Sequence, residues 1–240
     1  MTKIRLNKFL SSAGVASRRG CDKLIFDGKI MVNGVVAEGP FIAVDPQKDV
    51  VMYDEERVIL QNKVYFMLHK PEGYLCSSQK KFLNDKLVID LFAHLPYRVF
   101  TVGRLDKETT GLLLITNDGD FANKIIHPSY GITKEYLLKV SQDVSDFQLK
   151  SFMNGGLIDG SIIKPVSVTK IRRGTLKVVV GEGKKHEVRL LAEIAGLNLL
   201  SLARIRIGSL VLGGLPYGGY RELTTSEIDA CLHNRDRIKR

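Results

Sequence analysis

Between Gly103 and Gly119 the chain reads GRLDKETTGLLLITNDG: Arg104 and Asp106 stand at the mouth of a turn, ahead of small polar residues and an apolar run. A carboxylate held at the end of a rigid strand is where enzymes carry a nucleophile or a general base. An aspartate in a loop is also a common turn former or cap, and spacing alone leaves both readings open. Glycosidase-type chemistry would ask for a second carboxylate about 5–10 Å away. Glu108 and Asp118 are near in sequence, yet no pattern sets either across a pocket from Asp106. The five histidines form no triad or metal set, none is assigned a catalytic role, and His127, ahead of Pro128, reads as structural. Cys21, Cys76 and Cys231 are odd in number, far apart and without metal-ligand spacing. Neither a disulfide framework nor a metal site is expected, and a reducing cytoplasm fits.

The strand that would carry this segment is GLLLITNDG, stopped by Asn117-Asp118-Gly119, with VFTVGRLD ahead of it as a strand entering a loop. VYFMLHKP is a buried-strand pattern stopped by Pro71, and EGYLCSS is expected to continue it past a turn at Gly73. Residues 82–95 carry Leu87, Leu91 and Leu95 at helical spacing, DFANKIIHP is a helix closed by Pro128, and KEYLLKV is a strand. SVTKIRR and TLKVVVGEG form a hairpin through Gly174, HEVRLLAEIAGL is an amphipathic helix ending at Gly196, and SLARIRIGSLVL is extended. Thr224 to Glu227 has capping-box spacing and opens a C-terminal helix with a basic end (Arg235, Arg237, Lys239, Arg240). Strands and helices interleave irregularly, with several hairpins. That predicts an α+β fold with a mainly antiparallel mixed sheet and flanking helices, not a doubly wound parallel sheet.

The first 60 residues differ in pattern. Leu6, Phe9 and Leu10 recur at helical spacing, as do Cys21, Leu24 and Ile25; Gly14 separates the two helices, Ser17 caps the second and Gly28 ends it. IMVNGVVAEG then reads as a hairpin turning at Asn33-Gly34. Residues 1–29 hold seven basic groups (Lys3, Arg5, Lys8, Arg18, Arg19, Lys23, Lys29) against Asp22 and Asp27, whereas residues 30–60 are mainly acidic. Arg18 and Arg19 at a helix N-terminus sit against the dipole unless an anion is held there, which would make one phosphate site of the cluster. A solvated basic face is the simpler reading of the same charges.

The whole chain has 240 residues and 36 Lys+Arg against 26 Asp+Glu, a formal charge of +10. Charge of this sign favours a polyanionic partner. Hydrophobic content of 44% and charged content of 26% exclude a disordered or fibrous chain. No apolar run reaches the length of a membrane span, and MTKIRLNKFL carries no signal-peptide core. A monomer is expected.

Two resemblances emerge from these stretches. RLNKFLSSAGVASRRGCDKLIFDGKIMVNG is similar to the small RNA-binding domain shared with a small-subunit ribosomal protein, the S-four domain. By that resemblance Arg5, Lys8, Ser17, Arg18 and Arg19 lie on or near the RNA-facing side. GRLDxxTxGLLLxTNDG resembles the signature of pseudouridine synthases, in the family that modifies ribosomal RNA and carries this N-terminal domain. HPxxxxxKxYLLKV, GEGKKHEVR and ARIRIGSLVLGGLPYGGYRELTTSE extend the match. Implied domains are 1–59 for RNA binding and 60–240 for catalysis.

The resemblance implies isomerisation of a uridine in ribosomal RNA, with no cofactor and no metal, acting on ribosomal RNA or a ribosomal assembly intermediate. It implies Asp106 as the catalytic carboxylate, Arg189 as the cation keeping it ionised, and Tyr136 and Val188 on the two faces of the uracil. Arg104 is placed to fill the space left by the flipped base or to hold a phosphate, and Lys70, in HKPEG, to touch RNA. Glu187 replaces a frequent Gln and Leu190 a frequent basic residue; Glu187 is expected near RNA, facing Lys184 or Lys185. The HPSxxxxKEY stretch leans towards large-subunit RNA. The alternative is a non-catalytic RNA-binding or ribosome-assembly factor on the same fold, which would have no need of Asp106, Tyr136 and Arg189 together.

Overall fold

The computed structural model describes residues 3–234, so the basic C-terminal end expected at Arg235 to Arg240 lies outside the described residues. Two compact units divide the chain. One takes the described residues up to Val64 with Leu95–Arg98 and Asn117–Gly119; the other takes Tyr65–His94, Val99–Thr116 and the residues from Asp120 on. Among the described residues no helix is long and apolar enough to cross a membrane.

In the first unit, helices α1 (Leu6–Ser12) and α2 (Arg18–Phe26) bury Leu6, Phe9, Leu10, Cys21 and Ile25 in one cluster with Ile30, Val44 and Val51. Ser17 caps α2, its hydroxyl accepting from the Gly20 N–H at 3.1 Å. The strands Ile30–Val32 and Val35–Val36 form the expected hairpin, with Asn33 and Gly34 both at positive φ, as a type I′ turn requires. The acidic stretch is locked locally: Asp49 accepts from the Asn33 side chain at 2.9 Å and from the Asp45 N–H at 2.7 Å.

The second unit is built on a mixed sheet. Its strands are β1 (Tyr65–Lys70), β2 (Phe100–Val102), β3 (Thr110–Thr116), β4 (Lys134–Val140), β5 (Ser167–Arg172), β6 (Thr175–Val180), β7 (Leu199–Ile207), β8 (Leu210–Val211) and β9 (Tyr220–Glu222). The spatial order is β5-β6-β4-β7-β3-β1-β9, with β2 on β3 and β8 on β7; β3 and β7 run parallel and the other pairs antiparallel. Helix α3 (Gly119–Ile126) and helix α6 (Thr225–Cys231) pack with Met67, Leu112, Leu114 and Ile207 in one core. Helix α4 (Asp146–Asn154) and helix α5 (Glu187–Ile194) pack with Leu138, Leu176, Val178 and Leu202 in another. The α+β reading with a mainly antiparallel sheet holds.

Three local features differ from the sequence pattern. Tyr74–Leu75 does not prolong β1; it pairs in parallel with Lys86–Leu87. Pro71 offers no N–H, and Gly73, at φ +84°, turns away and donates its N–H to the Lys107 carbonyl at 2.8 Å. Nor is 82–95 one helix. The Asp85 carboxylate accepts the Lys81 and Phe82 N–H groups, fixing a turn there, and only Val88–Phe92 makes a single stretch of 3-10 helix. Third, helix α4 and the following hairpin Gly156–Ile158/Ser161–Ile163 fall in a stretch to which the sequence reading assigned no element. Their signals are present: Ser145 and Gln148 form a capping box, and Asp159-Gly160 make a turn with both φ positive.

Candidate active site

Where the two cores of the second unit meet there is a cavity of about 460 Å³. The loop after β2 forms one wall (Arg104, Leu105, Asp106, Thr109), β4 and β7 the floor (Lys134, Tyr136, Leu202, Arg204), and the segment entering α5 the other wall (Lys184 to Arg189). Alternation along β4 sends Lys134 and Tyr136 to the cavity and Glu135 to the opposite side, where it pairs with Arg206 at 2.6 Å and Lys177 at 3.1 Å. A bulge in the β4–β7 ladder between Glu135 and Tyr136 lets Arg204 and Ile207, of opposite parity, both face inward.

The loop that carries Asp106 is tied down by backbone contacts. Thr109 N–H closes on the Asp106 carbonyl at 3.1 Å, and Leu105 N–H donates to Cys76 Sγ at 3.4 Å. Beneath it lies Lys70, 0% exposed, whose Nζ donates to the carbonyls of Pro71 (3.0 Å), Lys107 (3.2 Å) and Thr109 (2.9 Å). All three donors of the ammonium are thereby used. Burial pushes the Lys70 pKa down, while the charges of Cys76, Glu108 and Asp106 hold it up. Lys70 therefore cannot reach RNA, contrary to expectation. The chain at Pro71 and at Lys107 to Thr109 closes over this end of β1, so the ammonium is spent on backbone carbonyls.

Asp106 itself is partly exposed and meets two side chains from the far wall. Arg189 Nε lies 3.5 Å from Oδ2, and His186 Nε2 lies 3.3 Å from Oδ1. Arg189 is aimed by a 2.9 Å bond from Nη2 to the Thr109 hydroxyl, and its Nε is buried with no hydrogen-bond acceptor closer than the carboxylate. Such a contact is slightly long for a hydrogen bond and is of the kind that tightens when substrate closes the site. On the floor, burial and the charge of Arg204 press the Lys134 pKa down to about 8, against the pull of Glu187. Burial pushes the Glu187 carboxyl up, despite the Lys184 N–H that it accepts at 3.1 Å.

Residues 64–193 of this chain match the RNA pseudouridylate synthase family, and residues 4–45 match the S4 domain. The chain belongs to the RNA pseudouridylate synthase family. It is 43% identical to a putative chloroplastic ribosomal large subunit pseudouridine synthase of Arabidopsis thaliana, over 94% of this chain but 60% of that protein's length. It is 36% identical to ribosomal large subunit pseudouridine synthase B of Bacillus subtilis, over 93% of each. Among solved structures, the crystal structure of a pseudouridylate synthase superposes with a TM-score of 0.69 at 27% identity, covering 95% of this chain and 99% of that one.

Within this synthase-family chain, Asp106, Tyr136, Val188 and Arg189 line one cavity, and Arg104 lines its exposed rim. Arg5, Ser17, Arg18 and Arg19 are exposed on the first unit, where Arg5 also lies 5.4 Å over the Phe41 ring; Lys8 is half-buried. Two readings of the α5 entry are corrected. Glu187 is only 4% exposed and does not face Lys184 or Lys185 side chains over RNA; its carboxylate caps the Lys184 backbone inside the wall. The helix stripe 187/188/191/192 places it there, and that stripe was legible in the sequence. His186, assigned no part in the sequence reading, stands against Asp106. The available signal was its place directly ahead of the helix that carries Arg189, where it forms the N-cap in a left-handed conformation.

Proposed function

We propose that this chain converts a uridine of large-subunit ribosomal RNA to pseudouridine, with Asp106 acting on a base flipped out of its stack. The observation that carries the reading is a carboxylate flanked by two potential cations, at the wall of a cavity that also holds an aromatic ring and an apolar side chain. The family to which the chain belongs and the printed function of its Bacillus relative support the substrate class.

The chemistry is an isomerisation. The bond from C1′ to N1 breaks, a bond from C1′ to C5 forms, the proton on C5 leaves and N1 takes one up; no electron acceptor or phosphate is consumed. Asp106, ionised, either attacks C1′ or removes a sugar proton to start elimination, and both routes need a charged carboxylate out of bulk water. Arg189, its Nε 3.5 Å from Oδ2, sets a positive charge beside that carboxylate. Tyr136 stacks on one face of the uracil and Val188 closes on the other, so the freed base turns without escaping. Extruding the base costs on the order of a few kcal/mol, least in loops and single strands. Arg104 occupies the vacated stack or a neighbouring phosphate. The S4 domain contributes phosphate contacts through Arg5, Lys8, Arg18 and Arg19, near the Ser17 cap.

The test is to map pseudouridines in ribosomal RNA from cells with and without this protein, then to add purified protein to the unmodified RNA. One large-subunit position should lose its modification in the deletion and regain it in vitro. RNA binding with no position altered would overturn the enzymatic reading. Loss confined to a small-subunit position would overturn the substrate assignment alone.

A further inference from the structure

We infer that His186 is a positioning residue for Asp106, the second of two basic side chains that approach its two carboxylate oxygens and restrain the carboxylate plane; this rests on the function proposed above. The geometry is a 3.3 Å approach of Nε2 to Oδ1, while Arg189 approaches Oδ2. An ionised carboxylate only accepts, so the contact is attractive only with the proton on Nε2. One cation on one oxygen leaves the carboxylate free to rotate about its Cβ–Cγ bond. A basic side chain beside each oxygen restrains that freedom, and orienting a reacting group is among the larger contributions to rate.

The backbone points the same way. His186 sits at φ +55°, ψ +18°, a left-handed conformation rare outside glycine but several-fold enriched in His, Asn and Asp. That turn immediately precedes α5, and with it the imidazole approaches Oδ1 of Asp106 while Arg189, on α5, approaches Oδ2. The imidazole is 47% exposed, so water screens the pair. RNA seated over the cavity would exclude that water and strengthen the contact when it is needed.

The experiment is single-turnover isomerisation of unmodified large-subunit ribosomal RNA, with affinity measured separately by filter binding, for wild type, D106N, H186N and H186R. Asparagine tolerates the left-handed backbone but cannot reach Oδ1; arginine restores a long cationic donor. His186→Asn should slow the chemical step on the order of tenfold, the loss of one charge-assisted bond, with affinity within about twofold of wild type. His186→Arg should recover most of that rate. Three results would overturn the inference: a His186→Asn rate equal to wild type, weakened affinity with an unchanged rate, or no recovery by Arg in a protein that melts normally. Should wild type itself form no pseudouridine, the proposed function fails, and the contact is judged by NMR of the imidazole. Its ring signals should move between wild type and D106N, and unmoved signals would overturn it.

Discussion

Asp106 is a surface-loop residue held with the rigidity of a core residue, and the reason lies in what surrounds its backbone. Lys70 answers three carbonyls at once, two of them in the loop that follows Asp106. Lys70→Met keeps the volume and removes the donors, leaving buried carbonyls unpaired at about 1–3 kcal/mol for such a group. Urea unfolding should show a loss on the order of 2–4 kcal/mol, with a slower isomerisation step; unchanged stability would mean the carbonyls find other partners. Glu187 allows a sign-definite pH test. Its carboxyl is raised by burial, so ionising it costs the folded state more than the unfolded one, and that cost grows as pH rises from 4.5 through the raised value. Glu187→Gln should therefore melt higher than wild type at neutral pH, and the two should converge below pH 4.5. Equal melting temperatures at pH 7 and above would contradict the assignment. The motifs brought Asp106, Tyr136, Val188 and Arg189 forward as site candidates; Lys70 was misplaced because position along a strand does not report which loops cover its end, and Glu187 because its charge outweighed the buried stripe that it shares with 188, 191 and 192.

At the scale of elements, the site depends on the parallel junction within the large mixed sheet, where β3 meets β7. Gly111, opposite Arg204 in that register, sits at φ +102°, and a Cβ there would lie 2.1 Å from the Arg204 carbonyl oxygen. Gly111→Ala should cost on the order of 1–3 kcal/mol in backbone strain alone, and more once the strands part. Arg204, on the cavity floor with its Nε bonded to the Leu112 carbonyl at 2.8 Å, would shift with them. Circular dichroism melts check the stability; a Tm equal to wild type would show that the junction can spread without loss. Most elements were readable beforehand because their punctuation is local: the Ser17 and Thr224 caps, the Asn33-Gly34 turn, Pro128 after α3, Gly174 between β5 and β6. The parallel pairing was not, since it joins segments some 90 residues apart that carry no mark of one another. Residues 82–95 misled for the opposite reason: a leucine spacing suited to a helix was overruled by the Asp85 turn.

At the scale of the whole molecule, the +10 charge and the basic residues of the S4 domain imply affinity that depends on salt. Neutralising Arg18 and Arg19 together, both exposed at the start of α2, should weaken RNA binding and lower the slope of log K against log salt by about 1–2. An unchanged slope would remove them from the phosphate contacts. Charge and composition announced the class of partner; the chemistry became legible only through motif resemblance, because no arithmetic on residue types places residues 106, 136 and 189 around one cavity. Asp106→Asn keeps the shape of the side chain and removes its charge. Mixed with unmodified large-subunit ribosomal RNA, this variant should bind as tightly as wild type and form no pseudouridine at the target position. Isomerisation by Asp106→Asn at the wild-type rate would contradict the central claim that an ionised carboxylate at this position drives the reaction.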